Sequence, residues 1–268
     1  MQDTPAEKTT SADLKALKGQ RKIVALTAYD FTFASLLDDL VDVILIGDSL
    51  GMVVQGKANT VSVRLDDVVY HSRAVSRAAK HAHLVADMPF MTYHAEPAEA
   101  IRNAGRLLSE GYAEAVKLEG GIEIAETVKR LVQIGIPVMG HVGLTPQKVH
   151  AYGGFKVQGR SPETHEAILR DALAVADAGV YAMVLECIPA ELAQQITERV
   201  SAPTIGIGAG RHCDGQVVVG QDLLGMNPEF SPKFVKQYTH LADTIRQAVG
   251  AFARDVKSGE FPGSEHSF

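Results

Sequence analysis

VILIGDSLG, residues 43–51, sets four apolar side chains in a row and then turns abruptly to a glycine, an acid and a hydroxyl. A continuously apolar run of this length fits a strand covered on both faces, as parallel strands between helices are, better than the alternating pattern of a half-exposed sheet. An acid at the tip of such a strand is costly to bury unless something there pairs with it. The rest of the chain has to supply both the neighbouring strands and the partner of Asp48.

Seven more runs have the same character: IVALTAY (23–29), HLVADM (83–88), AEAVKLE (113–119), PVMGHV (137–142), YAMVLEC (181–187), PTIGIG (203–208) and QVVVG (216–220). Helix-length segments lie between most of them. Phe33, Leu36, Leu37 and Leu40 fall at i, i+3, i+4 and i+7, an apolar helical stripe. Ser161-Pro162 and Ser231-Pro232 each place a capping residue before a proline at the first helical position. Gly111, Gly135 and Gly179 stand where a left-handed helix cap is wanted, and Thr10 with Asp13 forms a capping box for a short N-terminal helix.

Eight strands alternating with helices predict a (β/α)8 TIM barrel with a short N-terminal helix and a long C-terminal helix; a doubly wound open sheet is the alternative. Three stretches exceed a minimal barrel. Residues 49–64 (SLGMVVQGKANTVSVR) are partly β-like and predict a small hairpin. Residues 143–160 (GLTPQKVHAYGGFKVQGR) predict a lid over the strand ends. AGRHCDG, between the last two strands, is too short for an ordinary helix.

The chain has 268 residues, 46% hydrophobic and 22% charged, which suits one large domain or two small ones. No biased linker is visible, so a single domain over 1–268 is expected. A net charge of -6 leaves no electrostatic footprint for nucleic acid. No apolar run reaches membrane-spanning length, and the opening residues lack the apolar core of a signal peptide. Two cysteines, Cys187 and Cys213, without a CxxC pair argue against a disulfide framework. A cytoplasmic protein is expected.

In a barrel the C-terminal strand ends form the active face. They carry Asp48 and Ser49, then Asp87, then Lys117 and Glu119, then His141, then Glu186. Lys117 and Glu119 are two apart and point the same way. Taken singly, Asp48 or Asp87 reads as a helix N-cap and His141 as a structural histidine. Four acids, a lysine and a histidine on neighbouring strand ends are harder to explain separately. Like charges so close repel, and a bound cation is the usual remedy. Oxygen donors without a cysteine pair or an HExxH motif favour a hard ion such as magnesium over zinc. GMVVQGKA (51–58) almost matches a phosphate-binding loop, but Ala58 replaces the hydroxyl that motif needs. GIGAG (206–210) reads as a tight turn.

Together the stretches GDSLGMVVQG, DMPF, VKLEGG, GHVGLTPQ, GGFKVQG, LECIP and IGIGAG with CDGQ closely resemble the ketopantoate hydroxymethyltransferase family, in the family's order over roughly 43–225. PKFVKQY near the C-terminus fits too. The resemblance implies transfer of a one-carbon unit from 5,10-methylenetetrahydrofolate to the 2-oxo acid 3-methyl-2-oxobutanoate, through a magnesium-stabilised enolate, on the route to pantothenate. It implies Asp48 and Asp87 as metal ligands with Glu119 nearby, and Asp48, Ser49, Asp87 and Lys117 as substrate contacts. Glu186 is the expected proton acceptor, flanked by apolar Leu185 and Ile188, where desolvation makes a carboxylate a stronger base. His141 is expected to orient substrate or assist proton transfer. Phe234, Tyr238, Leu241, Ile245, Val249 and Phe252 form a seam on the expected C-terminal helix, and the resemblance implies a homodecamer. The rival readings are a phosphoenolpyruvate mutase or isocitrate lyase-like enzyme, and a non-catalytic barrel that binds an acidic metabolite.

Overall fold

The structure, a computed structural model, describes residues 8–228 and 232–268. All eight predicted strands form: β1 (Ile23–Thr27), β2 (Val43–Ile46), β3 (His83–Asp87), β4 (Ala115–Glu119), β5 (Val138–Gly143), β6 (Ala182–Glu186), β7 (Thr204–Ile207) and β8 (Gly215–Val218). They pair in chain order, all parallel, and β8 closes onto β1 with Ile23 opposite Gly215. The sheet is therefore a closed barrel, and the open-sheet alternative is set aside.

Strand alternation accounts for the unbroken apolar runs. Val43 and Leu45 pack inside the barrel with Ala25, Val85, Met139 and Val184, while Ile44 and Ile46 face the surrounding helices with Leu84, Ala86 and Leu118. Leu14 joins the interior group and is fully buried. It comes from the short N-terminal helix Ser11–Ala16, whose start is held by the Thr10–Asp13 capping box. The helix Pro162–Asp177 begins as expected, with Ser161 accepting from Thr164 N–H and proline in the first turn. Such a cap stabilises a helix by about 1 kcal/mol.

Several local expectations are corrected. The stripe from Phe33 to Leu40 is not one helix: the helix is Phe31–Ser35, turns follow, and Leu36 and Leu40 are exposed. Asp38, which accepts from the backbone N–H groups of Lys80, His81 and Ala82, ties those turns down instead. Residues 49–64 hold the helical turn Leu50–Val53 and loops but no hairpin, since a closed barrel offers no free edge for more strands. Gly135 and Gly179 take the left-handed conformation (φ 89° and 101°), but at the third site Tyr112 does so (φ 59°) in place of Gly111.

The chain groups into two compact units, Met1–Val218 with the barrel and Val219–Phe268. In the second, the C-terminal helix is Leu241–Ser258, so Phe234 and Tyr238 precede it and do not share its seam. Pro232 starts no helix, and Ser231 lies outside the described residues. Ile245, Val249 and Phe252 are exposed. Among the described residues no helix is long and apolar enough to cross a membrane.

Candidate active site

Register brings the predicted charged residues together. Asp87 lies opposite Lys117 between β3 and β4, Glu119 opposite His141 between β4 and β5, and Gly143 opposite Glu186 between β5 and β6. Partners in a parallel ladder share a face, so all of these point into the mouth of the barrel. Asp48 and Ser49 enter from the turn after β2. Asp48, Asp87, Lys117, Glu119 and His141 are buried, each at most 4% exposed, and Glu186 is half-buried.

A chain of polar contacts runs across the mouth. The backbone N–H of Asp48 donates to Asp87 Oδ2 at 2.9 Å, and Asp87 Oδ1 pairs with Lys117 Nζ at 2.9 Å. Lys117 Nζ lies 3.9 Å from Glu119 Oε1 and 3.3 Å from His141 Nδ1. His141 Nε2 in turn faces Glu186 Oε2 at 3.2 Å. An ammonium only donates, so Nδ1 is the acceptor, which leaves the imidazole proton on Nε2 toward Glu186. Burial and the neighbouring Lys117 push the His141 pKa down, so the ring is held neutral. Ser49 Oγ makes no cap bond to its own helical turn and lies 2.8 Å from Tyr29 Oη.

The backbone at Glu186 is also unusual. Cys187, the next residue, sits in the left-handed region at φ 47°. Its N–H bonds the carbonyl of Ile207 and its carbonyl accepts from Gln158 N–H. Conformations of this sort cost of order 1–3 kcal/mol in a non-glycine residue and survive only where the surroundings enforce them.

Charge in the site is unbalanced. Burial, then the charge of Asp87, push the Asp48 carboxyl up to about 7. Burial and Asp48 hold Glu119 well above the usual carboxylate range. Burial pulls the Lys117 ammonium down, but Asp87, Glu119 and Asp48 outweigh it and the net shift is upward. One buried ammonium thus serves three buried acids. A hard divalent cation fits this oxygen-rich, over-acidic set, because it would relieve the desolvation and the repulsion together. Among the described residues no three acidic, histidine or cysteine side chains stand ready as a complete metal cage. Two carboxylates with open positions for water and substrate is the way magnesium is commonly held.

Two functional neighbours escape the sequence reading. Gln147, 3% exposed, reaches in from the segment after β5, and its Nε2 donates to Asp48 Oδ2 at 2.9 Å and to the Met88 carbonyl at 3.0 Å. Tyr93 is fully buried; its single hydroxyl proton faces two acceptors, Gln147 Oε1 at 2.7 Å and the Glu119 carbonyl at 2.9 Å, and its oxygen accepts from Glu119 N–H. The predicted lid is thus docked in its first part, with Leu144, Thr145 and Gln147 buried, and open in its second, with Phe155 to Val157 exposed. The signals for Gln147 are its place at the end of the stretch GHVGLTPQ and Pro146 before it, which begins the short 3-10 turn Pro146–Lys148.

The model of the ketopantoate hydroxymethyltransferase family matches residues 8–264. The chain belongs to that family. It is 54% identical over 263 residues to 3-methyl-2-oxobutanoate hydroxymethyltransferase of Syntrophus aciditrophicus, covering 97% of each chain. Identity to the protein of the same name from Pelobacter propionicus is 52% over 269 residues, all of both chains. Among solved structures it is similar to 2,3-dimethylmalate lyase, a PEP mutase/isocitrate lyase superfamily member, with TM-score 0.59 at 16% identity over 97% of this chain and 92% of that one. That likeness is one of fold.

Proposed function

We propose that the protein is a 3-methyl-2-oxobutanoate hydroxymethyltransferase, which carries a one-carbon unit from 5,10-methylenetetrahydrofolate to 3-methyl-2-oxobutanoate and forms ketopantoate. The observation that carries the reading is the buried row Asp48–Asp87–Lys117–His141–Glu186, present in a chain that matches this family almost end to end. A binding module has no need of a half-buried carboxylate at the end of such a row.

Asp48 and Asp87 would hold a magnesium ion, with Glu119 beside them. When bound, the ion supplies Lewis acidity toward the charge that develops on the 2-oxo acid. The Ser49 hydroxyl and the Lys117 ammonium donate to the substrate carboxylate or to the developing enolate oxygen. Glu186 takes the proton from carbon three, and His141, its proton on Nε2, orients the Glu186 carboxylate. Carbon three then bonds the folate methylene carbon, both methylene–nitrogen bonds break, and one water supplies the new hydroxyl; the water's other proton and the proton taken from carbon three end on the two freed nitrogens of tetrahydrofolate. The segment 143–160 keeps bulk solvent from the enolate.

The cytoplasm is the proposed location and a homodecamer the proposed assembly. Ile245, Val249 and Phe252, spaced i, i+4, i+7 on the exposed C-terminal helix, are surface that another subunit would cover. Sedimentation of the purified protein tests the assembly.

The function is tested by mass spectrometry of ketopantoate from both substrates, with magnesium and with a chelator. Product that requires folate and the cation is expected. No product with magnesium, manganese or cobalt would overturn the reading, and cleavage of 2-oxo acid relatives without folate would favour the lyase-like alternative.

A further inference from the structure

Each of the three buried acids has one oxygen held by an uncharged N–H donor. Asp87 Oδ2 accepts from the backbone of Asp48 at 2.9 Å, Asp48 Oδ2 from the side chain of Gln147 at 2.9 Å, and Glu119 Oε2 from the backbone N–H of Gln147 at 3.0 Å. Gln147 thus serves two of the three, one with its side chain and one with its main chain. The second oxygens of Asp87 and Glu119 face Lys117, at 2.9 and 3.9 Å.

The carboxamide has no freedom to turn over. Its nitrogen faces two acceptors, Asp48 Oδ2 and the Met88 carbonyl, and its oxygen faces the Tyr93 hydroxyl. A flipped amide would set its oxygen against the Met88 carbonyl, which can only accept. Both N–H groups and the carbonyl are satisfied inside a buried shell, so the residue is locked in place.

We propose that Gln147 is a positioning residue that presets the two acids Asp48 and Glu119 for the divalent cation and ties the segment after β5 to that cation. The proposal rests on the reading of Asp48 and Asp87 as cation ligands. An uncharged donor suits this role because it holds one oxygen of each acid without cancelling the charge that attracts the cation. Since the same residue lies in the segment that flanks the site, a cation bound to Asp48 and an ordered segment 143–149 favour each other. Reciprocity follows from linkage, because any preference of the cation for the docked segment is equally a preference of the segment for the cation-loaded site.

The test is isothermal titration of magnesium, and separately manganese, into full-length protein stripped with chelator, with no substrate present. The Gln147→Met variant keeps the side-chain length and removes the two side-chain bonds, to Asp48 and to the Met88 carbonyl, while the main-chain bond to Glu119 stays. Its cation affinity is expected to fall by about 10- to 100-fold, the usual cost of losing a partner that orients a ligand. Hydrogen exchange over 143–149 should slow on cation addition in the wild type and not in the variant. Should Gln147→Met fail to fold, Tyr93→Phe replaces it: it frees the Gln147 carbonyl, together with the Glu119 main-chain groups that the hydroxyl also meets, and should weaken the cation by about two- to tenfold. A folded Gln147→Met, or Tyr93→Phe in its stead, that binds both cations as the wild type does would overturn the proposal, even if its thermal midpoint were lower. A wild type that takes up neither cation would overturn the cation reading and the proposal together.

Discussion

Replacing Glu186, the proposed proton acceptor, with glutamine leaves the shape of the site intact. The glutamine oxygen can occupy the place of Glu186 Oε2, 3.2 Å from His141 Nε2. The nearest substitute base is His141, but its Nδ1 lone pair is directed at the Lys117 ammonium 3.3 Å away and its other nitrogen carries the proton. Burial and Lys117 lower its basicity further. With no ready substitute, the whole general-base contribution should be lost, about 10²- to 10⁴-fold, or about 3–5 kcal/mol of barrier. The assay is exchange of the carbon-three proton of 3-methyl-2-oxobutanoate in heavy water, followed by NMR with magnesium and without folate, so that only proton removal is read. Thermal unfolding of the variant should match the wild type, because Glu186 is only half-buried and its acceptor is retained. Exchange within about tenfold of wild type in a folded Glu186→Gln protein would refute the reasoning and place the base elsewhere.

The pH dependence of stability should follow the buried acids. Asp48 rises from 3.8 to about 7 in the folded chain, so between those values the folded state binds more protons than the unfolded one. Stability of chelator-treated protein should then fall as pH rises from about 4 to 7, by about 4 kcal/mol at most for this group. Magnesium should flatten the slope; unfolding midpoints across that range, with and without the ion, check both, and a flat profile in chelator would count against the buried, protonated Asp48. Lys117→Met leaves Asp87 buried without its cation and should cost about 3–5 kcal/mol in denaturant unfolding. An unchanged denaturation midpoint would refute a stabilising pair between Lys117 and Asp87. Leu14→Ala, in the apolar barrel interior with Ile23 and Val43 and not among the charged residues of the site, should cost about 2–5 kcal/mol with turnover per folded molecule unchanged, measured at a temperature where the variant remains native.

The barrel was legible because its strands are covered on both sides. Val43 to Ile46 face the interior and the helices by turns, yet all four are buried, so the run is apolar throughout and its boundaries are visible in the single sequence. Helix starts that depend on a local side chain, Thr10 and Ser161, were legible for the same reason: the cap and its partner lie three residues apart. The failures are places where a distant partner outweighs local pattern. The spacing from Phe33 to Leu40 is helical, but Asp38 bonds backbone more than 40 residues away and the helix stops at Ser35. The TVSV run after Asn59 has strand-like residues but no edge to join in a closed barrel.

The same distinction separates the candidate site residues that stand out in the sequence from the neighbours that do not. A charged side chain at the tip of a buried strand is an anomaly in itself, because its burial costs more than the local sequence can return. Asp48, Asp87, Lys117, Glu119, His141 and Glu186 all stand out on that ground, and strand pairing then brings them within a few ångströms of one another. Gln147 and Tyr93 carry no such anomaly; an amide in a polar loop and a phenol near a turn are unremarked residues until their partners are known. Gln147 meets Asp48 across 99 positions of sequence and Tyr93 meets Gln147 across 54. Neutral groups that orient charged ones are thus the part of an active site that a single sequence hides best. Once the fold supplies their partners, their bonds show which oxygen of each acid is held in place and which is left to face the chemistry.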